Sequence, residues 1–290
     1  MFDAPKHPDL VPFDGKFRLA RTATEPPKKA PGKKEIAEEL ASTIEELRDL
    51  HEVLYAADRV ALLVVFQAMD AAGKDGTIRA VLTGLNPAGC QVYSFKRPSE
   101  EELDHDFLWR HTCRLPERGR IGIFNRSWYE EVLAVRVHPE ILDRQKLPWR
   151  PKGGAIWEER LGSISDHEKH LARNGIAVVK FFLNVSKEEQ RERLLKRIDE
   201  ESKNWKFEAG DVTERDHWDD YQLAYEQALN ATSRPWAPWY AIPADSKPWM
   251  RLQVAKVLVQ TLRSLDLRVP ELDPGARERL ADLRARLAAD

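Results

Sequence analysis

The chain has 290 residues, 42% of them apolar and 32% charged, with a formal net charge of −2. That length allows one large α/β domain with insertions or two modest ones, and the near-neutral balance excludes a general nucleic-acid binder. Two cysteines, Cys90 and Cys113, exclude a disulfide framework and lack metal-ligand spacing, so both are expected as buried reduced thiols. No stretch approaches the roughly 18 apolar residues of a membrane span, and the first residues have no apolar signal core; a cytoplasmic protein with no membrane partner is expected.

Residues 1–33 carry Pro5, Pro8, Pro12, Pro26, Pro27 and Pro31, which predicts an extended arm, either wrapped on the body or disordered. Lys28, Lys29, Lys33 and Lys34 form a small basic cluster, read as a solvated tail or a contact for a polyanion. Ile36, Leu40, Ile44, Leu47, Leu50 and Leu54 recur at spacings of three and four, so Lys34 to Ala57 is predicted helical. The uncharged run Val60 to Phe66 predicts a strand buried on both faces.

Ala68-Met69-Asp70-Ala71-Ala72-Gly73-Lys74-Asp75-Gly76-Thr77 comes next, followed by Ile78, Val81, Leu82 and Leu85 at helical spacing. Strand, small-residue loop with Gly-Lys, helix is the layout of a phosphate-binding P-loop. Backbone N–H groups of Ala71, Ala72, Gly73, Asp75, Gly76 and Thr77 would face an anion, and Lys74 would add a point charge. The pattern G-x-x-x-x-G-K-[ST] is broken at both ends, by Ala68 and by Asp75. A bare βα turn is the plainer reading, but a lysine at a helix N-terminus opposes the macrodipole unless an anion sits there.

Asn86-Pro87-Ala88-Gly89 is a turn, Cys90 to Phe95 a second strand, and Ser99 with Glu102 a capping box for a helix near 99–114. Gly119 to Arg126 is the third strand, ending in polar residues where ligands sit in open parallel sheets. The Pro- and Trp-rich segment 139–160 reads as loop plus short helix, Ile164 to Arg173 as helix, and Gly175 to Val185 as the fourth buried strand. Ser186-Lys187-Glu188-Glu189 is a second capping box, opening a charged helix to Ile198. A polar connector, 199–217, and a helix near 214–232 follow, and together they resemble a lid. Trp239 to Pro243 is a fifth strand, 248–265 a closing helix, and the tail from Pro270 a charged amphipathic helix, read as an oligomer or surface element.

Strands alternating with helices imply a parallel sheet with right-handed crossovers. The expected fold is a three-layer α/β P-loop kinase with a central parallel five-stranded sheet and a helical lid. Its expected parts are an arm (1–33), a kinase domain (34–268) with its lid inserted at about 186–232, and a C-terminal helix (269–290).

Phosphoryl transfer needs an anion cradle, a metal, cations on the moving group and exclusion of water. Asp70 is either a Mg²⁺ ligand, a group orienting the attacking phosphate, or an ordinary solvent-facing turn residue. Asp75 could hold metal-bound water, though a first-turn acid needs no further explanation. Asn125 stands where such enzymes place a metal-binding Asp at a strand end, and its amide oxygen can still serve. Arg126 beside it would reach phosphate, or form a strand-end ion pair. Arg136 lies in an apolar stretch and needs a partner. On the lid, Arg193 among interleaved acids reads as part of a salt-bridged surface helix. Arg197 is a further lid cation, and Lys203 and Lys206 flank Trp205 with no helix face to decorate.

FQAMDAAGKDGTIR, FKRPSEEELDHDFLWR, IFNRSWYEEVLAVRV, FFLNVSKEEQRERLLKRID, NWKF and APWYAIPADSKPW, in this order over about residues 34–265, resemble the polyphosphate kinase 2 family. The resemblance implies transfer of the terminal phosphate of inorganic polyphosphate to ADP and AMP by in-line attack. It also implies a divalent cation (Mg²⁺, or Mn²⁺) held by Asp70 and Asn125, and a homodimer or homotetramer. AMDAAGKDGT with FNRS is similar to the branch accepting AMP as well as ADP. By motif match Asp70, Lys74, Asn125 and Arg126 are the catalytic set, Glu131 and Arg136 nucleotide-side or metal-side residues, and Lys203, Trp205 and Lys206 the lid's basic motif. An ATP-dependent nucleotide kinase of the same fold and a non-catalytic polyphosphate-binding protein are the other readings.

Overall fold

The computed structural model describes residues 2–151, 153–206 and 210–289, without the side chains of Lys206 and Pro274. Five strands, β1 (Ala61–Gln67), β2 (Cys90–Ser94), β3 (Ile121–Asn125), β4 (Ile176–Asn184) and β5 (Trp239–Pro243), form one parallel sheet in the order β2-β3-β1-β4-β5. β1 is central because it can be: all seven of its residues are buried, and a strand flanked on both sides and covered on both faces needs an unbroken apolar run. Phe66 stands beside Asn125 of β3 and Phe181 of β4, so the polar ends of β1 and β3 meet at one edge of the sheet.

The main helices are α1 (Lys33–Ala57), α2 (Lys74–Val81), α3 (Ala155–Arg173), α4 (Lys187–Asp199), α5 (Trp218–Thr232), α6 (Lys247–Ser264) and α7 (Pro274–Leu287). α1, α6 and α2 pack together, and α3 packs with α5, giving helix layers on either side of the sheet. Alternation along β4 shows the two faces. Phe181 stacks on Phe66 with ring centroids 5.1 Å apart, whereas Phe182 meets Tyr225 of α5 and Lys180 reaches Glu168 of α3 at 2.5 Å.

Lys180 and Glu168 are both almost fully buried, and both charged groups are hydrogen-bonded. The ammonium also donates to Tyr129 Oη (3.0 Å) and the Thr232 carbonyl (2.8 Å), while Tyr129 donates to Glu168 at 2.8 Å. Trp239 donates its indole N–H to Thr232 Oγ1 at 2.9 Å. Burial pushes the lysine down to about 8 and the glutamate up, and the ion pair opposes both shifts. A buried charge without its partner costs several kcal/mol, so each member requires the other.

Several expected elements shift. The 99–114 helix is two single turns, Glu100–Leu103 and Trp109–Thr112, because Asp106 accepts from Leu108 N and His105 stacks on Trp109 between them. α3 begins at Ala155, well before Ile164, and the expected 214 start of α5 is a 3-10 turn, Glu214–His217. The second capping box is half formed. Ser186 Oγ accepts from Glu189 N, but Glu189 turns to Arg193 and Ser186 N donates to Asp245. The thiols are not both buried: Cys113 is exposed and Cys90 half-buried.

The N-terminal arm is a strap along β5. Val11 N donates to the Trp239 carbonyl (2.9 Å) and Ala241 N to the Asp9 carbonyl (2.8 Å). Farther on, Phe17 exchanges hydrogen bonds with the Asn230 side chain (2.8 and 2.9 Å), and Glu226 accepts from Leu19 N and Arg18. Val11 and Leu19 are buried beneath it.

Candidate active site

The loop between β1 and α2 lies at the carboxyl edge of the sheet, and its backbone is held in an uncommon shape. Gly73 has φ +111°, and Ala71 adopts the left-handed conformation at φ +59° without being glycine. Such a residue costs about 1 kcal/mol and persists only when its surroundings enforce it. Gly73 has a further reason to lack a side chain, since a Cβ there would lie 3.2 Å from Met250 Cε.

The enforcement comes from α4. Arg193 donates to the carbonyls of Ala72 (2.6 Å), Ala71 (3.3 Å), Ala244 (2.7 Å) and Asp245 (3.1 Å), and pairs with Glu189 at 2.7 Å. Gln190 adds a bond to the Asp70 carbonyl at 3.0 Å. The expectation of a surface position for Arg193 is therefore corrected: it is buried, and it clamps the loop to the end of β5. Its interleaved acids concealed this, because only one of them, Glu189, is its partner.

Within the loop, Lys74 turns back and donates to the Ala68 carbonyl at 2.8 Å. Burial, then the neighbouring Arg126, push its pKa down. Arg126, at the end of β3, is the second non-glycine left-handed residue of the site, with φ +65°. Its N–H still bonds Phe66 of β1 (3.0 Å), and its guanidinium reaches Asp70 at 3.0 Å. Glu130, and then Asp70 against the opposing effect of burial, hold that guanidinium firmly charged. Asp70 is thus engaged rather than merely solvent-facing. Asn125 donates to Asp75 at 2.6 Å and to Ser94 at 3.4 Å, joining the ends of β3 and β2 to the first turn of α2. Gln67, the last residue of β1, donates to Glu130 at 2.8 Å.

The structure therefore brings together Asp70, Ala71, Ala72, Gly73, Lys74, Asp75, Gly76, Asn125 and Arg126. Thr77 lies under the loop, fully buried, its hydroxyl unpaired and its N–H on the Gly73 carbonyl. Glu130, Gln67 and Gln190 join the set unannounced by the sequence, and Arg193, read from the sequence as a lid cation in a salt-bridged surface helix, joins it through the loop's carbonyls. Tyr221 and Tyr225 of α5 overlook it: burial first, with Glu130 contributing, raises both phenols.

Glu131 faces elsewhere. The 3-10 turn Trp128–Val132 sends neighbours Glu130 and Glu131 to different places, and Glu131 pairs with Arg160 of α3 at 2.6 Å and accepts from Gln145 at 2.7 Å. These residues line a pocket with Pro98, Phe107 and Arg110, built from the segments that follow β2 and β3. Arg136 lies 5.9 Å from the Trp157 ring rather than beside the loop, and burial lowers its pKa.

Arg197, near the end of α4, pairs with Asp211 of the connector at 2.8 Å; within the connector Lys203 pairs with Glu200, and Trp205 is 78% exposed. The backbone of Lys206 ends the 3-10 turn Glu201–Lys206, while its side chain and Phe207 of the NWKF motif lie outside the described residues.

A family model for polyphosphate kinase 2 matches residues 31–269. The chain is 56% identical over 249 residues to an ADP-polyphosphate phosphotransferase of Rhodopseudomonas palustris, covering 86% of each. It is 44% identical to an AMP/ADP-polyphosphate phosphotransferase of Meiothermus ruber, covering 89% of this chain and 93% of that one. Among solved structures, polyphosphate kinase 2 from Arthrobacter aurescens TC1 superposes with a TM-score of 0.83 at 36% identity, covering 96% of this chain and 99% of the other. No helix among the described residues is long and apolar enough to cross a membrane. On the match over 31–269 and these identities, the chain belongs to the polyphosphate kinase 2 family.

Proposed function

We propose that the protein transfers the terminal phosphate of inorganic polyphosphate to ADP and to AMP. One observation carries the reading. A loop shaped for an anion holds Lys74 and Arg126 against its own oxygens, at 2.8 and 3.0 Å, at the sheet edge where the two strand ends meet. Both cations are bound to groups that an incoming phosphate can replace, so the charge is in place before substrate arrives.

In the proposed reaction an oxygen of the acceptor's terminal phosphate attacks the end phosphorus of the polyphosphate. The bond to the next phosphate breaks, and the donor leaves one phosphate shorter. Lys74 and the N–H groups of residues 71–76 hold the donor's end. Arg126 neutralises charge on the group in transit, with Asp70 and Glu130 fixing its direction. The acceptor's nucleoside is assigned to the pocket of Phe107, Arg110, Glu131, Gln145 and Arg160, where Arg160 and Gln145 already hold Glu131 in place. Trp205, Lys203 and Lys206 on the connector would cover the polyanion and limit water.

The side chains at the loop suit a hard divalent cation. Asp70, Asp75 and Asn125 offer oxygen only, and Asn125 commits its N–H to Asp75, leaving its amide oxygen for other use. Mg²⁺, or Mn²⁺, held by Asp70 and Asn125 would neutralise part of the phosphate charge.

The test is turnover with long-chain polyphosphate and Mg²⁺, run separately with AMP, ADP and GDP, and repeated after chelation. ATP from ADP, and ADP then ATP from AMP, both stopped by EDTA and restored by Mg²⁺, are expected. Product from ADP alone would remove AMP from the proposal. Turnover with ATP as the only effective donor would overturn it.

A further inference from the structure

The connector that carries Lys203 and Trp205 leaves the body after α4 and returns at the 3-10 turn Glu214–His217, where two consecutive side chains fasten it in different directions. Arg215 Nη1 donates to the Lys187 carbonyl at 2.9 Å and to Gln190 Oε1 at 2.7 Å, both in the first turn of α4. Gln190 is buried and donates in turn to the Asp70 carbonyl at 3.0 Å. One amide therefore stands between the connector's return and the phosphate loop. Glu214 reaches the other way: its Oε2 accepts from Tyr221 Oη at 2.7 Å and lies 3.0 Å from His138 Nε2. His138 follows the short helix Ala134–Val137 beyond β3, and its ring meets His217 edge-on with centroids 4.9 Å apart. Because Tyr221 donates to Glu214, Glu130 is left to Gln67 and Arg126. The two ties join groups 25 and 76 residues apart in the chain, so neither is a helix-surface pair. Arg191, next to Gln190, shows the difference: it is exposed and pairs with Glu188 of its own helix.

Resting on the polyphosphate reading above, we propose that Glu214 and Arg215 are positioning residues for the transfer. They tie the connector's return to the phosphate loop through Gln190 and to the segment after β3 through His138, so that Lys203 and Trp205 close in register with Asp70 and Arg126. Neither residue touches the reacting phosphates. With Arg193 and Gln190 binding α4 to the loop, the connector is held at both ends, and its middle is the part that moves. A misplacement of about 1 Å in such a cover can cost up to about a hundredfold in rate, so the effect belongs in kcat and not in nucleotide affinity.

The experiment uses the full chain with Arg215→Ala, Glu214→Ala and Glu214→Gln, and with Arg191→Ala as a control that removes the same charge from α4. Turnover is measured with long-chain polyphosphate and ADP, and hydrogen exchange is measured with no substrate present. The expected result is a kcat about thirtyfold lower in Arg215→Ala and about tenfold lower in Glu214→Ala, with KM for ADP within about twofold of wild type. The thermal midpoint stays within about 5 °C of wild type in both. Glu214→Gln, whose amide oxygen still accepts from Tyr221, recovers most of the rate, and Arg191→Ala leaves it at the wild-type value. In Arg215→Ala the amides of residues 71–74 exchange about tenfold faster while those of β1 do not change. A wild-type kcat in Arg215→Ala, or an equal loss in Arg191→Ala, would overturn the proposal. So would faster exchange spread into β1 with a falling midpoint, which marks residues that only support the fold. The exchange arm needs no turnover. A wild type without transfer counts against the polyphosphate reading, whereas loop exchange unchanged in Arg215→Ala refutes the junction on its own.

Discussion

The two halves of the helical insertion between β4 and β5 treat their charges in opposite ways. On α4, Arg193 and Gln190 face inward, and their hydrogen bonds end on carbonyl oxygens of the phosphate loop. In the connector after α4, among the described residues, Lys203 pairs with a neighbour three residues away and Trp205 stands mostly in solvent. The first half is scaffold at these two positions: both side chains are buried and hydrogen-bonded. Among the described residues of the second half none is buried, a condition that suits the segment proposed to move over substrate. In the proposed mechanism this outer half is the lid, hinged on α4, and the loop depends on Arg193 and Gln190 of that helix for its shape.

The contrast can be broken at three points. Lys74→Ala or Asp70→Asn removes the chemistry without touching the hinge; transfer should fall at least about a thousandfold while the thermal midpoint stays near wild type. Wild-type turnover in either variant would take that residue out of the mechanism. Arg193→Ala strikes the hinge. It orphans carbonyls of the loop and of the β5 end, so stability should drop by about 3 kcal/mol in chemical denaturation and turnover by about a hundredfold. Arg193→Lys should rescue little, since one ammonium cannot span both segments. A turnover loss without a stability loss would place Arg193 on the substrate instead. Trp205→Ala addresses the outer half and should have the smallest effect: KM for polyphosphate up a few-fold, kcat and midpoint nearly unchanged. Hydrogen exchange sharpens the same contrast, with amides of α4 near Arg193 protected and those of 200–206 exchanging rapidly until polyphosphate is added.

What the sequence made legible follows from local rules. β1, the loop and α2 were readable because an uncharged run, a Gly-Lys turn and helical spacing are each short-range signals. Asn125 and Arg126 were readable as the polar end of a strand. Glu130 was not, because choosing between it and Glu131 depends on the phase of a 3-10 turn that no periodicity announces. Lys180 was equally silent. A lysine within nine residues of strand is tolerable only because Glu168, from another layer, reaches it. Arg193 looked like a surface charge since its real partners are carbonyl groups, which carry no sequence identity. Long-range pairing and backbone acceptors account for these omissions.

The strap along β5 has a consequence for how the chain reaches this structure. Tyr240 Oη donates to the carbonyl of Pro5, 235 residues earlier, and Val11 and Asp9 bond the same late strand. The Pro5–Val11 part of the strap has no docking surface until β5 has been made, a pairing of high sequence separation. By bonding β5 and gripping α5 at Glu226 and Asn230, it ties two late elements to an early segment. A nascent chain stalled before residue 239 therefore lacks β5 and with it the strap's seat at Asp9 and Val11.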